Sequence, residues 1–347
     1  MPSTITTLHT YDTVYSADSV EWCPHNPYQQ LFVCGTYQLD DKEESPTSNT
    51  SQTVRKGRIL LFEFNSDQNA LTNRQQVETS AILDQKWHPT RATLSTVNAS
   101  GDVVAFKLSS DEKLVEIDTL KIPNDTDGEQ LALSIDWAPG GDLAAVSDSK
   151  GGISLLGDAP EGLKFINRWN AHSFEAWICA FDKNDQNVIY TGGDDVLLCA
   201  YDIRCSNVPA LRLKNKTHGA GVTSLLSVQR KEHLLVTGSY DDCVRLFDTR
   251  SMKNCLSETN LGGGVWRLKQ NPSQPDQILC ACMYHNFSVV SLNSDQSFTI
   301  DAEYDEHGSI CYGCDWKYGL AEGYVKYFAS CSFYDHKMCL AVLKTEK

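Results

Sequence analysis

The sequence predicts an all-β fold, a closed β-propeller of seven blades, and three observations predict it. A unit of about 45 residues recurs along the chain. Short strands of alternating or wholly apolar character follow one another between Gly, Asp and Asn turns. The 3.6-residue periodicity of a helix is nearly absent. The clearest unit runs from His172 through Thr191-Gly192-Gly193-Asp194-Asp195 to Tyr201-Asp202-Ile203-Arg204. Each of these positions returns 46 residues later, as His218, Thr237-Gly238-Ser239-Tyr240-Asp241 and Phe247-Asp248-Thr249-Arg250. A period of this size ending on a Trp-Asp-like dipeptide is the signature of the WD40 repeat, whose units form propeller blades.

The elements follow in order, and together they make one domain of residues 1–347. Residues 1–11 carry a strand at 4–11 that precedes the first complete unit. Inner strands are expected near Ser19, Ile82, Leu133, Ala176, Val222, Val265 and Cys311, one per blade. Proline closes four of them, at Trp22-Cys23-Pro24, Trp87-His88-Pro89, Trp137-Ala138-Pro139 and Gln270-Asn271-Pro272, because it cannot donate to a sheet ladder. In the clearest unit the strands are expected at 222–228, 234–238 and 243–248. The last unit runs out near Leu343 without a fourth strand, so residues 1–11 are expected to complete it and leave the ring without open edges. The hydrophilic stretch 40–57 reads as a mobile surface insertion between two strands of the first blade, and 121–130 as a shorter one.

Composition narrows the function. Forty-five acidic against 30 basic residues give a net charge of −15, the wrong sign for a binder of phosphate backbones, so nucleic acid is not an expected partner. No apolar run approaches the roughly 18 residues of a membrane helix, and no membrane association is expected. The 13 cysteines lie mostly in apolar runs such as Leu279-Cys280-Ala281-Cys282, which points to a reducing compartment, cytoplasm or nucleus. Cys311-Tyr312-Gly313-Cys314 would place its two thiols on opposite faces of a regular strand, and no second pair completes a zinc set. Gly262-Gly263-Gly264 precedes a strand, unlike a phosphate-cradling loop, which opens a helix. Neither a metal nor a cofactor is expected.

In WD units the histidine bonds an aspartate in the turn before the third strand. His172 with Asp195, and His218 with Asp241, therefore read as fold elements. The residue just before each turn aspartate is freer, and in a propeller it tends to ring the mouth of the central channel. Those positions hold Asp194, Tyr240, Tyr284 and Tyr334, with Tyr37 equivalent in the first blade.

Five further segments carry a more specific signal: Ala17-Asp18-Ser19-Val20-Glu21-Trp22-Cys23-Pro24, Cys34-Gly35-Thr36-Tyr37-Gln38-Leu39, His172-Ser173-Phe174-Glu175-Ala176-Trp177, Gly263-Gly264-Val265-Trp266-Arg267 and Cys331-Ser332-Phe333-Tyr334-Asp335-His336. Together they resemble the diphthine methyl ester hydrolase family. The resemblance implies removal of a methyl ester from methylated diphthine on elongation factor 2, ahead of the final amidation to diphthamide. Such a substrate carries a quaternary ammonium, which aromatic rings hold through their quadrupole. Tyr240, Tyr284, Tyr334, Trp266 and Tyr37 then become candidate cation contacts, with Asp194 adding negative charge. Ester hydrolysis also needs a base and an oxyanion donor. No Gly-x-Ser-x-Gly elbow is present. His285, which replaces a turn aspartate, and His336 are the candidate bases, and Arg267 the candidate oxyanion donor. A competing class is a binding module: Tyr201-Asp202-Ile203-Arg204 and Phe247-Asp248-Thr249-Arg250 resemble the boxes by which WD-repeat receptors dock on cullin-type ubiquitin ligase adaptors, through Arg204 and Arg250. A scaffold without activity is the third.

Overall fold

The computed structural model describes residues 3–40, 54–124, 128–204, 208–229, 231–319 and 325–345. Strand β1 (Ser3–Asp12) opens the chain. Blade 1 is β2 (Ser16–Trp22), β3 (Leu31–Asp40), β4 (Val54–Asn65) and β5 (Ala70–Ser80). Blade 2 is β6 (Ile82–Trp87), β7 (Thr93–Asn98), β8 (Asp102–Leu108) and β9 (Leu114–Lys121). Blade 3 is β10 (Ala132–Trp137), β11 (Leu143–Asp148), β12 (Gly152–Ala159) and β13 (Gly162–Asn170). Blade 4 is β14 (Ile178–Phe181), β15 (Val188–Gly192), β16 (Leu198–Asp202) and β17 (Ala210–Asn215). Blade 5 is β18 (Val222–Ser227), β19 (Leu234–Ser239), β20 (Cys243–Asp248) and β21 (Ser257–Asn260). Blade 6 is β22 (Gly264–Gln270), β23 (Gln277–Met283), β24 (Asn286–Leu292) and β25 (Phe298–Tyr304). Blade 7 is β26 (Cys311–Trp316), β27 (Val325–Ser332) and β28 (Lys337–Thr345), with β1 as its fourth strand.

Each sheet is an antiparallel meander, and the inner strands touch in the cyclic order β2, β6, β10, β14, β18, β22, β26 and back to β2, which closes the ring. Closure runs through blade 7, where β1 pairs with β28 from Ser3↔Thr345 to Asp12↔Lys337. The insertion expected at 40–57 is shorter than that. Asp40 ends β3 and 54–57 open β4, paired as Asp40↔Val54 and Gln38↔Lys56, while 41–53 lie outside the described residues. In the stretch 121–130, Lys121 ends β9, and 125–127 lie outside the described residues.

Burial follows the position of a strand in its blade. The innermost β2 is buried along its whole length, whereas the outer β5 alternates between exposed and half-buried residues. One apolar cluster fills each of the seven gaps between adjacent blades; between blades 6 and 7 it contains Phe287, Trp316 and Phe328. Trp316→Ala in that gap would cost about 3–5 kcal/mol. Polar staples tie neighbouring inner strands: Asp315 Oδ2 accepts from Trp22 N at 2.7 Å, Asp84 Oδ2 from Ile135 N at 3.1 Å, and Asp136 Oδ2 from Phe181 N at 2.8 Å.

One irregularity recurs where the inner strands begin. In β2 the ladder steps from Ala17↔Thr36 to Ser19↔Gly35 and leaves Asp18 unpaired. The same bulge leaves out Leu83 in β6, Leu133 in β10, Thr223 in β18 and Trp266 in β22. In β26 it takes two residues, Tyr312 and Gly313. A bulge re-aims the side chain it leaves unpaired. It also resets the alternation of faces, so Cys311 and Cys314, expected on opposite faces, share one buried cluster. Gly313 is required there: a Cβ at that position would lie 2.7 Å from Ser19 Cα and from Val20 N, so only glycine lets β26 come this close to Asp18 and its neighbours.

Candidate active site at the upper mouth of the channel

The bulged positions crowd aromatic rings around the end of the channel that carries the turns after the second strands. Trp266 packs 4.8 Å from Tyr312, which packs 5.3 Å from Phe333, which lies 5.8 Å from Tyr37. On its other side Trp266 meets Trp177 at 5.7 Å and Tyr240 at 5.8 Å, with Trp177 and Tyr240 edge to face at 6.1 Å. These rings touch one another, so they form a continuous platform rather than a hollow lined by separate rings. Exposed Asp194 stands at its edge and accepts from Trp177 Nε1 at 3.0 Å. Burial, and then the charge of Asp194, push the Tyr240 hydroxyl up, so it stays protonated at neutral pH.

Ladder register corrects the expected ring in two blades. Ser16↔Tyr37 in blade 1, Val222↔Ser239 in blade 5, Val265↔Cys282 in blade 6 and Cys311↔Ser332 in blade 7 align the mouth positions as Tyr37, Tyr240, Met283 and Phe333. Tyr284 and Tyr334 fall one residue later, on the rim, 80% and 70% exposed, whereas Met283 is 7% exposed and packs on Trp266. Tyr334 keeps an edge contact with Phe333 at 5.1 Å. Blades 2 and 3 place the small residues Ala99 and Ser149 at the equivalent positions, so the aromatic wall is interrupted there.

Beneath the platform the channel is charged. Arg267, on β22, reaches across to β6, where Nη2 donates to Leu83 O at 3.3 Å and stands 3.4 Å from Asp84 Oδ1. Its Nε and Nη1 make no hydrogen bond among the described residues. Trp266 Nε1 and Asp18 Oδ1, both buried, are likewise without a partner among them. Below Arg267, Glu21 pairs with Lys86 at 2.6 Å and with Lys269, and Lys183 pairs with Asp136 at 3.0 Å. These groups line a cavity of about 210 Å³ on the lower side. Burial alone would raise the Asp84 carboxyl, but Lys86, Arg267 and the Ile135 amide outweigh it and hold its pKa below the ordinary value. Asp18 goes the other way: burial drives it well up, and Arg267 offsets only part of that.

The predicted bases do not join this cluster. His285 is exposed in the β23–β24 turn, packs over Gly262 and faces Glu303 of the outer strand at 3.6 Å. His336 sits in a tight turn at φ 54°, its carbonyl accepting from Thr13 N at 2.9 Å. Of the residues expected to bind or react with substrate, Arg267 stands beside buried Asp84, and Trp266 lies next to its guanidinium, 5.6 Å from the ring centroid. The fold pairs are made in part. His172 Nδ1 lies 2.8 Å from Asp195 Oδ1, and its Nε2 2.8 Å from Thr191 Oγ1. The expected His218–Asp241 bond is absent, because Arg245 takes the carboxylate at 2.8 Å; His218 keeps Thr237 Oγ1 at 2.8 Å while its Nδ1 has no partner among the described residues. A further tetrad escaped the sequence reading: His307 bonds Ser332 Oγ at 2.6 Å and Ser330 Oγ at 2.8 Å, and Asp335 accepts from Gly308 N at 2.9 Å. His307 precedes Asp335 by 28 residues where His172 and His218 precede their aspartates by 23, so the repeat spacing did not reveal it.

Arg204 and Arg250 follow the third strands of blades 4 and 5, at the lower end, and both are engaged. Arg204 Nη2 donates to Asp185 Oδ1 and Oδ2 at 2.9 and 2.7 Å, and Arg250 Nη2 to Asp248 Oδ2 at 2.7 Å.

Comparisons with known proteins agree with this architecture. The family model described as WD domain, G-beta repeat matches residues 211–248. A chain in the crystal structure of the mitotic checkpoint complex superposes with a TM-score of 0.70 at 17% identity, covering 99% of this chain and 92% of that one, which is a likeness of fold alone. Proteins named diphthine methyltransferase are similar along nearly the whole length. The mouse protein is 37% identical over 91% of this chain and 70% of its own. The fission yeast protein is 33% identical over 94% and 96%, and the homolog from Dictyostelium discoideum 32% over the same shares.

Proposed function

The chain belongs to the diphthine methyltransferase family, and on that premise we propose that it acts on methylated diphthine of elongation factor 2, hydrolysing the methyl ester so that the final amidation to diphthamide can proceed. The relatives are named for methyl transfer. The observation that favours hydrolysis is Arg267, a buried guanidinium with N–H groups to spare beneath an aromatic platform. In ester hydrolysis negative charge develops on the acyl oxygen, and a fixed donor stabilises it more in the transition state than in the ground state. In methylation of a carboxylate the charge is lost on the way to the transition state, so the same guanidinium would stabilise the reactant and slow the step. The permanent cation of the substrate would lie on Trp177, Tyr240 and Trp266, each contact contributing about 0.5–2 kcal/mol, with Asp194 adding attraction. The net charge of −15 favours approach of a cationic side chain.

The test is incubation of the purified chain with elongation factor 2 carrying methylated diphthine, followed by intact-mass analysis and methanol assay. Hydrolysis predicts loss of the mass of one CH2 and stoichiometric methanol with no other protein added. Gain of that mass on unesterified diphthine with S-adenosylmethionine, and no methanol from the ester, would reverse the direction proposed.

A further inference from the structure

We propose that Asp18 is the general base of the hydrolysis, a role that rests on the ester-hydrolase reading above. Its neighbours include one from a blade that does not adjoin its own, Arg267 of blade 6, which stands by Asp84 of blade 2 across the channel. Arg267 of blade 6, Asp84 of blade 2, and Tyr312 and Cys331 of blade 7 all interact electrostatically with it. The bulge in β2 frees Asp18 from the ladder, and Gly313 lets β26 close to the backbone that follows it. The side chain is 2% exposed, yet Oδ1 has no hydrogen-bond partner among the described residues. A buried acceptor left without a partner costs about 1–3 kcal/mol, a cost that a hydrogen-bond donor brought to Oδ1 would relieve.

The two carboxylates flanking Arg267 divide the work. Asp84 accepts from Ile135 N, lies beside Lys86 and Arg267, and is held ionised, which fixes the guanidinium. Burial pushes the Asp18 carboxyl up, Arg267 offsets only part of that and the repulsion of Asp84 adds to it, so it releases a proton at a higher pH than an ordinary aspartate. Pairs whose environments push them apart in this way commonly separate the acid–base group from the electrostatic one.

Asp18 carboxylate takes one proton from water while the water oxygen bonds to the acyl carbon, and the carbonyl pair moves onto the acyl oxygen, where Arg267 and Trp266 Nε1–H donate to it. The tetrahedral intermediate collapses, the bond between the acyl carbon and the methoxy oxygen breaks, and protonated Asp18 returns its proton to that leaving oxygen, which departs as methanol. The new carboxyl proton passes to solvent.

Single-turnover demethylation of elongation factor 2 carrying methylated diphthine tests this in wild type, Asp18→Asn and Asp18→Ala. Asp18→Asn is expected to lose about 10²–10³-fold in rate with substrate binding unchanged. Formate should restore part of the Asp18→Ala rate. In wild type the rate should rise with pH through an inflection above the ordinary carboxylate range, absent from Asp18→Asn. If wild type turns over while folded Asp18→Asn stays within threefold of it, Asp18 is not the base and the hydrolase reading stands. If Asp18→Asn does not fold, the wild-type profile decides, and no inflection above the ordinary range overturns the assignment. In H2¹⁸O, label belongs in the diphthine carboxyl; label in Asp18 would make it a nucleophile and overturn the base role. A wild type that releases no methanol overturns the hydrolase reading and the base together.

Discussion

The upper and lower halves of the channel are lined by the same seven strands, and both hold buried charge. They differ in whether that charge is paired. Below Arg267, Glu21, Lys86, Lys269, Asp136 and Lys183 all have partners of opposite sign, and Asp315 staples blade 7 to blade 1 through Trp22 N. Burial pushes Asp315 up to about 6 even with Lys269 nearby. Above, Asp18 Oδ1, Trp266 Nε1 and two nitrogens of Arg267 are without partners among the described residues. A satisfied buried network holds blades in register, and an unsatisfied one is a place for a ligand to complete.

The lower half should therefore respond in stability and the upper half in turnover. Lys269→Met leaves Glu21 and Asp315 short of a cation, and urea denaturation should show a loss of about 3–5 kcal/mol. Turnover per folded molecule should stay within a few-fold of wild type. Arg267→Gln should show the opposite balance, a rate loss of about 10²–10³ in single turnover, roughly 3–4 kcal/mol, that exceeds its loss of stability. A larger stability loss than rate loss would place Arg267 with the lower network.

The buried histidines of blades 5 and 7 have their own response to acid. Burial holds His218 down to about 4, with Arg245 adding to it, and burial holds His307 down to about 4. The unfolded chain binds these protons first, below its ordinary value near 6.5. Stability is thus complete above pH 6.5 and is lost as pH falls towards 4, by at most about 3 kcal/mol per histidine. Urea midpoints measured from pH 7 to 4 should fall, and His218→Gln with His307→Gln should flatten the fall. The smallest expected difference is the sharpest test of the mouth. Tyr240→Ala should weaken capture of the substrate about tenfold, whereas Tyr284→Ser, expected at the same mouth position but placed on the rim, should change it less than twofold. Equal effects would break the register argument.

Legibility followed the regularity of the repeat. In blade 5 the strands expected at 222–228, 234–238 and 243–248 differ from β18, β19 and β20 by a residue at most, because His218, Asp241 and Asp248 mark fixed points of the hairpins. Blades 6 and 7 keep similar letters but not the same hairpin. Gly238 pairs with Val244 in blade 5, Cys282 with Asn286 in blade 6, and Ser332 with Lys337 in blade 7. A slip of one residue turns a side chain to the other face, which is how Tyr284 and Tyr334 move from mouth to rim. Asp18 stood within a segment already singled out, but its importance comes from a bulge and from blades distant in sequence, neither of which a linear pattern displays. The His218–Asp241 pair failed for a similar reason, since Arg245 competes for the carboxylate from the next strand.

Blade 7 unites Ser3 with Thr345, whose side chains hydrogen-bond across 342 residues of chain. During synthesis at about 5–20 residues per second, β1 emerges tens of seconds before β28 exists to receive it. A long unpaired strand is an invitation to aggregate. The sequence of β1, Ser3-Thr4-Ile5-Thr6-Thr7-Leu8-His9-Thr10-Tyr11-Asp12, carries only three large apolar side chains spaced by polar ones, and it remains half-buried or exposed even when docked. The clasp of the ring is thus a strand that tolerates waiting in water, and the closure of the propeller is timed by the emergence of β28.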